Sequence, residues 1–133
     1  MYITSNDAQK MLQAAQAKAQ QMGVKVSISV VDGRGDLLAM LRLDGASWRT
    51  AGISKGKAFA SANFGVASAE LTARASSPVM QAFLMTQAGN CIPAQGAVPV
   101  MRDGQAVGAI GVSGAKSEED EEIAKAGVAA LGK

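Results

Sequence analysis

The side chains that could carry chemistry in this chain are carboxylates, lysines, one tyrosine and one cysteine, because its 133 residues include no histidine. Without histidine, neither a Ser-His-Asp nor a Cys-His nucleophile can form, and every His-ligated metal or haem site is excluded. The single cysteine, Cys91, also excludes a thiolate zinc site and an internal disulfide. Any acid–base reaction would therefore use Asp, Glu, Lys, Tyr or Cys91.

Two lysines, Lys55 and Lys57, lie in a segment from about Trp48 to Phe64 that is predicted to be helical. Residues two apart on a helix point about 200° apart around its axis, so these lysines cannot share a face. One is expected to face solvent, and the other could reach a ligand carboxylate or propionate. The alternative is a lysine that is solvated or ion-paired. Arg49 and Arg74 are further candidates for binding a carboxylate.

Two features could accept a ligand without reacting with it. Within the predicted helix, Gly52, Gly56 and Ala60 lie four residues apart on one face, where a flat ligand or another backbone could approach closely. Ser113 and Gly114 end a predicted strand beside the N-terminus of the last helix, a position that suits an anion. We therefore expect the functional surface where the end of this strand meets the glycine-containing helix.

The glycines Gly108, Gly111 and Gly114 could suggest a phosphate-binding loop. Their spacing within an alternating apolar strand does not match the glycine-rich strand-to-helix loop that cradles phosphates. We interpret them instead as positions where a helix or a neighbouring subunit packs closely over the strand.

The acidic pair Asp120 and Glu121 could be catalytic carboxylates. We interpret both instead as exposed first-turn acids that the helix dipole stabilises, beside Ser117 as the N-terminal cap. Cys91 is interpreted as an inert, small apolar residue, with a thiolate ligand as the alternative.

The elements that position these residues alternate between helices and β-hairpins. Apolar residues at three- and four-residue spacing predict helices, and Thr4 with Asp7 predicts a capping box on the first of them. An alternation of apolar and polar residues predicts strands, and Asp103-Gly104 is a strong signal for a hairpin turn. Val24 to Val31 alternates in the way that is typical of a half-buried strand. Helices are predicted at Thr4–Met22, Trp48–Phe64, Ala67–Arg74, Ser77–Ala88 and from Ser117 onward, and strands at Val24–Val31, Asp36–Leu43, Val98–Arg102 and Gln105–Ser113.

This order of elements favours an α/β (α+β) fold in which helices pack on one antiparallel sheet. The chain length predicts a single domain that covers residues 1–133. Hydrophobic residues make up 48% and charged residues 18%, so the chain is expected to fold rather than stay disordered. Small residues outnumber aromatic ones, which favours close packing of subunits in a homo-oligomer.

Composition also limits the partners. The net charge of +2 comes from dispersed Lys and Arg without a basic run, so nucleic-acid binding is not expected. No stretch approaches the roughly 20 apolar residues that span a bilayer, so no membrane association is expected. The segment from Met1 to Asp7 lacks the basic and apolar regions of a signal peptide. We therefore expect a cytoplasmic protein whose partner is a small molecule.

Several motifs occur together and in a fixed order along nearly the whole chain. They are Ser29-Val30-Val31-Asp32, Asp44-Gly45-Ala46, Lys55-Gly56-Lys57-Ala58-Phe59-Ala60-Ser61-Ala62, Gly96-Ala97-Val98-Pro99-Val100, Asp103-Gly104, Gly108-Ala109-Ile110-Gly111-Val112-Ser113-Gly114 and Asp120-Glu121. In this combination the chain resembles the GlcG/HbpS family, which also includes the C-terminal domain of PduO-type cobalamin adenosyltransferases.

The resemblance implies a profilin-like or PAS-like domain that assembles as a homo-oligomer. Some members of that family bind haem, and the family has been described as haem-degrading, so haem is one candidate cofactor. Because the chain has no histidine, haem iron would have to take a Met, Tyr, Lys, Cys or hydroxyl ligand, or the haem would have to be held mainly by apolar burial. The family-like Gly-Lys-Ala run selects Lys57 as the lysine that reaches a ligand. The predicted cofactor-binding residues are Gly52, Gly56, Lys57, Ala60, Ser113 and Gly114.

The sequence favours a binding function over a catalytic one. We expect an oligomeric binding or sensing module of the GlcG/HbpS type that holds haem, another tetrapyrrole or a small catabolite. An enzyme that acts on a small hydroxy or keto acid, in an isomerase- or lyase-like reaction, is one alternative. A structural assembly factor is the other. No catalytic residue or metal ligand is assigned.

Overall fold

Residues 1–132 are described by a computed structural model, and Lys133, the last residue of the predicted domain, lies outside that range. Every predicted helix and strand is present, with ends that differ from the predictions by a few residues. The helices are α1 (Ser5–Met22), α2 (Arg49–Phe64), α3 (Pro78–Thr86) and α4 (Ser117–Ala129), with a short 3-10 helix at Ser68–Arg74. The strands are β1 (Ser27–Asp32), β2 (Leu37–Arg42), β3 (Ala97–Arg102) and β4 (Gln105–Ser113).

The four strands form one antiparallel sheet in the order β2-β1-β4-β3. Two hairpins, β1–β2 and β3–β4, are joined by the pairing of β1 with β4, in which Ser29 lies opposite Gly111. Helices cover both faces of this sheet, since α1 and α4 pack on one face and α2 packs on the other. The predicted architecture, a single antiparallel sheet flanked by helices, is confirmed.

The first helix begins at a complete capping box. The Thr4 hydroxyl accepts a hydrogen bond from the Asp7 amide at 3.1 Å, and the Asp7 carboxylate accepts one from the Thr4 amide at 2.9 Å. This reciprocal pair satisfies two amides that a helix start leaves without partners. Among residues 1–132, no helix combines the length and the apolar character needed to cross a lipid bilayer.

Strand β1 differs from the prediction because it is buried on both faces rather than on one. Ile28 belongs to the core under α1 and α4, whereas Ser27 and Ser29 face α2 and are equally buried. Each serine shares a hydrogen bond with a hydroxyl of α2, Ser27 with Thr50 at 2.8 Å and Ser29 with Ser54 at 2.7 Å. The alternation therefore reflects two packed faces, because a buried hydroxyl is tolerated when it has a partner.

Helix α2 lies against strand β4 at Gly111. A Cβ on this residue would collide with the carbonyl oxygen of Ser54 and would lie 2.7 Å from the amide nitrogen of Ala58. Both neighbours are backbone atoms, so only a residue without a side chain permits this approach. The interpretation of Gly111 as a site of close helix packing is confirmed, and the helix belongs to the same chain.

Candidate functional site

An open groove of about 650 Å³ lies where the end of β4 meets the first turns of α2 and α4. Its volume is within the range of roughly 300–1,000 Å³ that is usual for small-molecule sites. We call it the β4–α4 groove. Its lining residues are Val24, Lys25, Gly45, Ala46, Ser47, Arg49, Thr50, Ile53, Ser113, Gly114, Ala115, Lys116 and Glu119.

One wall of the groove is the turn that leads from β4 into α4. Gly114 has a φ of +131°, and a Cβ there would lie 2.6 Å from the carbonyl oxygen of Lys25, so this turn requires glycine. Helix α4 begins after Lys116, whose amide donates to the Glu119 carboxylate at 3.1 Å. The N-terminal cap is therefore Lys116, and the prediction of Ser117 as the cap was wrong by one residue.

The opposite wall is the loop between β2 and α2. The Arg42 guanidinium donates to the carbonyl oxygen of Ala46 at 2.9 Å, and the Thr50 hydroxyl donates to that of Ser47 at 2.6 Å. The first hydrogen bond comes from β2 and the second from α2, so the loop is anchored to both elements. Arg49 follows in the first turn of α2 with an exposed side chain.

Three basic side chains, Lys25, Arg49 and Lys116, line the groove. All three are exposed, and none of them takes part in an ion pair with any other residue in the range 1–132. The acid of the lining, Glu119, is partly buried, and its carboxylate already accepts the Lys116 amide. The groove therefore carries a net positive charge, which suits a ligand with carboxylate groups.

The residues of the same lining determine whether the groove can ligate haem iron. Of the iron ligands that remain without histidine, it offers lysine amines and the hydroxyls of Ser47, Thr50 and Ser113, and the lining residues within 1–132 include no Met, Tyr or Cys. Haem iron is typically held by His, Cys, Met or Tyr. The groove therefore fits the carboxylates of a tetrapyrrole and does not fit the usual axial ligation of its iron.

Cys91 lies outside the groove, buried with Ala60 and Leu71 in a small apolar cluster. Burial raises the pKa of the Cys91 thiol above its ordinary value of 9.0. Because the thiolate is the form that reacts and binds metals, this environment agrees with the interpretation of Cys91 as an inert apolar residue.

Of the predicted site residues, Ser113 and Gly114 line the groove as a pair. Gly52 is exposed on α2, and no atom lies within 4 Å of the position that its Cβ would take. This part of α2 is therefore open to contact, one turn from the groove-lining Arg49.

Gly56 and Ala60 are covered by the chain itself. The Ile92 side chain lies 2.6 Å from the position of a Cβ on Gly56, and the Ile92 amide donates to the Gly56 carbonyl at 3.0 Å. Ala60 is fully buried beside Leu71 and Cys91. The close approach that the spacing predicted on this face of α2 is therefore made by the chain's own loop and 3-10 helix.

Lys57 does not reach the groove, and its predicted contact with a ligand is corrected. Its buried ammonium donates to the carbonyl oxygen of Val112 at 3.0 Å and to the Asp120 carboxylate at 3.2 Å. The reason is that α2 turns Lys57 inward, towards the end of β4. The alternative of an ion-paired lysine is the one that the structure supports.

Asp120 lies in the first turn of α4 as predicted, but its interpretation as an exposed acid is corrected. Its side chain is 3% exposed, and the carboxylate oxygen that does not face Lys57 accepts the Ala115 amide at 3.0 Å. Burial raises the pKa of the Asp120 carboxyl above its ordinary value of 3.8, while the Ala115 amide and the charge of Lys57 oppose that shift. Spacing was the missed signal, because Asp120 shares one stripe of α4 with the buried Ile123 and Gly127.

Comparison with known proteins identifies the family. A family model described as haem degrading protein HbpS-like matches residues 3–129. The chain belongs to the HbpS-like family. It is 35% identical over 124 residues to a 15.0 kDa protein of the dhaT-dhaS intergenic region of Citrobacter freundii, covering 92% of the chain and 87% of that protein. It is 36% identical over 114 residues to protein GlcG of Escherichia coli, covering 84% of the chain and 81% of GlcG.

Solved structures give the same assignment. This HbpS-like protein superposes on a double mutant of Streptomyces reticuli HbpS with a TM-score of 0.88 at 34% identity, covering 100% of the chain and 89% of HbpS. It also superposes on PduOC, solved as a haem complex, with a TM-score of 0.87 at 26% identity, covering 99% of the chain and 96% of PduOC. The resemblance to the GlcG/HbpS family is confirmed.

Proposed function

We propose that this HbpS-like protein is a binding module for an anionic tetrapyrrole, which it recognises through the ligand's carboxylates in the β4–α4 groove. The observation that carries the proposal is the cluster of Lys25, Arg49 and Lys116 around a cavity of about 650 Å³. The likeness to PduOC, which was solved with haem, supports a tetrapyrrole as the ligand class.

Each lining residue has a role that follows from its chemistry. The Arg49 guanidinium presents a planar fork that can bind one carboxylate through two hydrogen bonds. Lys25 and Lys116 act as point charges for a second carboxylate. Val24 and Ile53 offer apolar surface to the macrocycle, whose burial contributes hydrophobic free energy.

Affinity is expected to depend little on iron, because the groove lining supplies none of the usual haem ligands. Haemin and metal-free protoporphyrin IX carry the same two propionates and should therefore bind with similar affinity. Haemin dimethyl ester keeps the iron and loses both carboxylate charges, so it should bind more weakly than either.

Titrations followed by tryptophan fluorescence test this proposal. Trp48 is the single tryptophan, it is 76% exposed, and its neighbours Ser47 and Arg49 line the groove. We expect saturable quenching by haemin and by protoporphyrin IX, with a Kd at least about tenfold higher for the ester, which corresponds to the loss of one charge-assisted hydrogen bond. Quenching without a stoichiometric endpoint, or an ester that binds as tightly as haemin, would overturn the proposal.

A small hydroxy or keto acid is a second candidate ligand, because the groove recognises carboxylates rather than rings. Lactate and pyruvate serve as probes in competition with protoporphyrin IX. Displacement of the porphyrin at submillimolar acid would make the catabolite the better ligand class. The enzyme and assembly-factor hypotheses, and the cytoplasmic location, stay predictions.

We also infer that the protein is a homo-oligomer. Val79 and Met85 of α3 are exposed, Met85 to 82%, and Val79 lines an apolar groove of about 450 Å³ together with Phe64 and Phe83. Exposed apolar surface of this kind is typical of protein interfaces, and a second copy of the chain is the partner we expect. Analytical ultracentrifugation tests this, and a monomer at micromolar concentration would contradict it.

A further inference from the structure

A buried ion pair lies directly behind the β4–α4 groove. Lys57 of α2 and Asp120 of α4 approach to 3.2 Å between Nζ and Oδ2, and their side chains are 7% and 3% exposed. Neither residue belongs to the groove lining. Any influence of this pair on a ligand must therefore act through other residues.

The pair is hydrogen-bonded to the backbone at both ends of the groove wall. The Lys57 ammonium donates to the carbonyl oxygen of Val112, and the Asp120 carboxylate accepts the Ala115 amide, each at 3.0 Å. Between these two anchor points lie only Ser113 and Gly114, both of which line the groove. The ion pair thus fixes the two ends of a four-residue segment, residues 112–115.

Gly96 closes the space around the ammonium. A Cβ on Gly96 would lie 2.7 Å from Lys57 Nζ and 2.7 Å from the carbonyl oxygen of Val112, and the residue has a φ of +141°. Its own carbonyl accepts the Val112 amide at 3.0 Å. The Val112 backbone is therefore hydrogen-bonded to both Gly96 and Lys57. The space at Gly96 cannot hold a side chain.

Stability alone is a weak explanation for this arrangement. A buried ion pair can often be replaced by apolar residues of similar size with little loss of folding free energy. Apolar residues cannot, however, supply directional hydrogen bonds to the Val112 carbonyl and the Ala115 amide. Those two bonds are what the charged pair adds.

We propose that Lys57 and Asp120 are positioning residues, which hold segment 112–115 in the conformation that the ligand of the β4–α4 groove requires. The identity of the ligand rests on the proposed function. The positioning of the segment rests on the geometry alone. The ion pair is therefore expected to affect the affinity for the ligand separately from its effect on folding.

Two charge-neutral double variants test the proposal. Lys57→Met/Asp120→Leu removes both backbone contacts, whereas Lys57→Met/Asp120→Asn keeps a carbonyl oxygen that can accept the Ala115 amide. Urea denaturation first establishes that both are folded. Amide hydrogen exchange at Ala115 and the Kd for protoporphyrin IX are then measured for each variant and for the wild type.

In Lys57→Met/Asp120→Leu we expect about tenfold faster exchange at Ala115 and an about tenfold higher Kd, the effect of one lost hydrogen bond. The Asn variant should keep Ala115 protected. A folded Leu variant with wild-type exchange and wild-type affinity would overturn the proposal. If the Leu variant does not fold, Lys57→Met/Asp120→Ala takes its place, because alanine cannot accept the Ala115 amide either. Unchanged exchange at Ala115 and an unchanged Kd in that folded variant overturn the proposal.

The result is separable from the proposed function. If the wild type does not bind protoporphyrin IX, the proposed function fails, and exchange at Ala115 alone then decides whether the pair positions the segment. If the wild type binds and the folded Leu variant binds equally well, the proposed function stands and the positioning role fails.

Discussion

The ammonium of Lys57 and the carboxylate of Asp120 meet 3.2 Å apart in the interior, although they come from helices on opposite faces of the sheet. The contact is made at the end of β4, where the Val112 carbonyl accepts the same ammonium. One ion pair therefore ties α2, α4 and the central strand together at the point where the groove begins.

The first prediction concerns the cost of breaking this pair. Lys57→Met alone leaves the Asp120 carboxylate without its cation in a buried site, and we expect a loss of about 3–5 kcal/mol in the free energy of unfolding. The neutral double variant Lys57→Met/Asp120→Leu should lose much less. Urea denaturation of the three proteins measures both effects, and equal losses in the single and double variants would contradict the account.

The second prediction is a pH dependence. Burial raises the pKa of Asp120 above 3.8, so the native state keeps this proton to a higher pH than the unfolded chain does. In the window above 3.8 the native state binds more protons, and its stability falls as the pH rises through that window. Relative to Asp120→Asn, the wild type should lose stability from about pH 4 upward and then level off.

Urea denaturation of the wild type and Asp120→Asn across this range is the measurement. Subtracting the two curves removes the contributions of the other acids. A difference that moves in favour of the wild type as the pH rises would show that the ion pair, rather than burial, dominates the pKa of Asp120.

The third prediction compares two glycines of different surroundings. Gly111→Ala forces a Cβ against the backbone of α2 at Ser54 and Ala58, so we expect a loss of about 1–3 kcal/mol from overpacking. Gly52→Ala is the matched control, because nothing lies within 4 Å of its Cβ position. Alanine should stabilise that exposed helical site by about 0.5–1 kcal/mol. Thermal unfolding distinguishes them, and changes of the same sign would contradict the packing.

The fourth prediction concerns the reactivity of Cys91. The thiol is buried and its pKa is raised, so little thiolate forms at neutral pH. Labelling by Ellman's reagent should be slow in the native protein and fast in urea. Native labelling at the rate of the unfolded chain would show that Cys91 is accessible.

Local signals explain what could be predicted from the sequence. The capping box of Thr4 and Asp7 is set by residues three apart, and the hairpin turn at Asp103-Gly104 has the positive φ values that this dipeptide favours. Such signals need no knowledge of the rest of the chain. Such signals placed every helix and strand, including the end of β4, where Ser113 and Gly114 line the groove.

The rest depended on contacts that are distant in sequence. Lys57 and Asp120 are 63 residues apart, and charge alone favours a solvent-exposed position for each of them. The covering of Gly56 by Ile92 likewise depends on a loop whose path no local pattern indicates. Lys25 and Lys116 were not predicted, because an isolated lysine has no sequence pattern that indicates a binding site. Only the fold brings these two lysines to one groove.

The affinity of the groove for protoporphyrin IX tests the central claim most directly. The triple variant Lys25→Gln/Arg49→Gln/Lys116→Gln removes the three charges of the lining, and Lys10→Gln/Arg102→Gln/Lys125→Gln removes three exposed charges outside it. The two variants have the same net charge, so general electrostatic attraction falls equally in both. We predict a Kd at least about tenfold higher for the groove variant than for the control. Equal Kd values for the two variants would contradict recognition of the ligand's carboxylates in this groove.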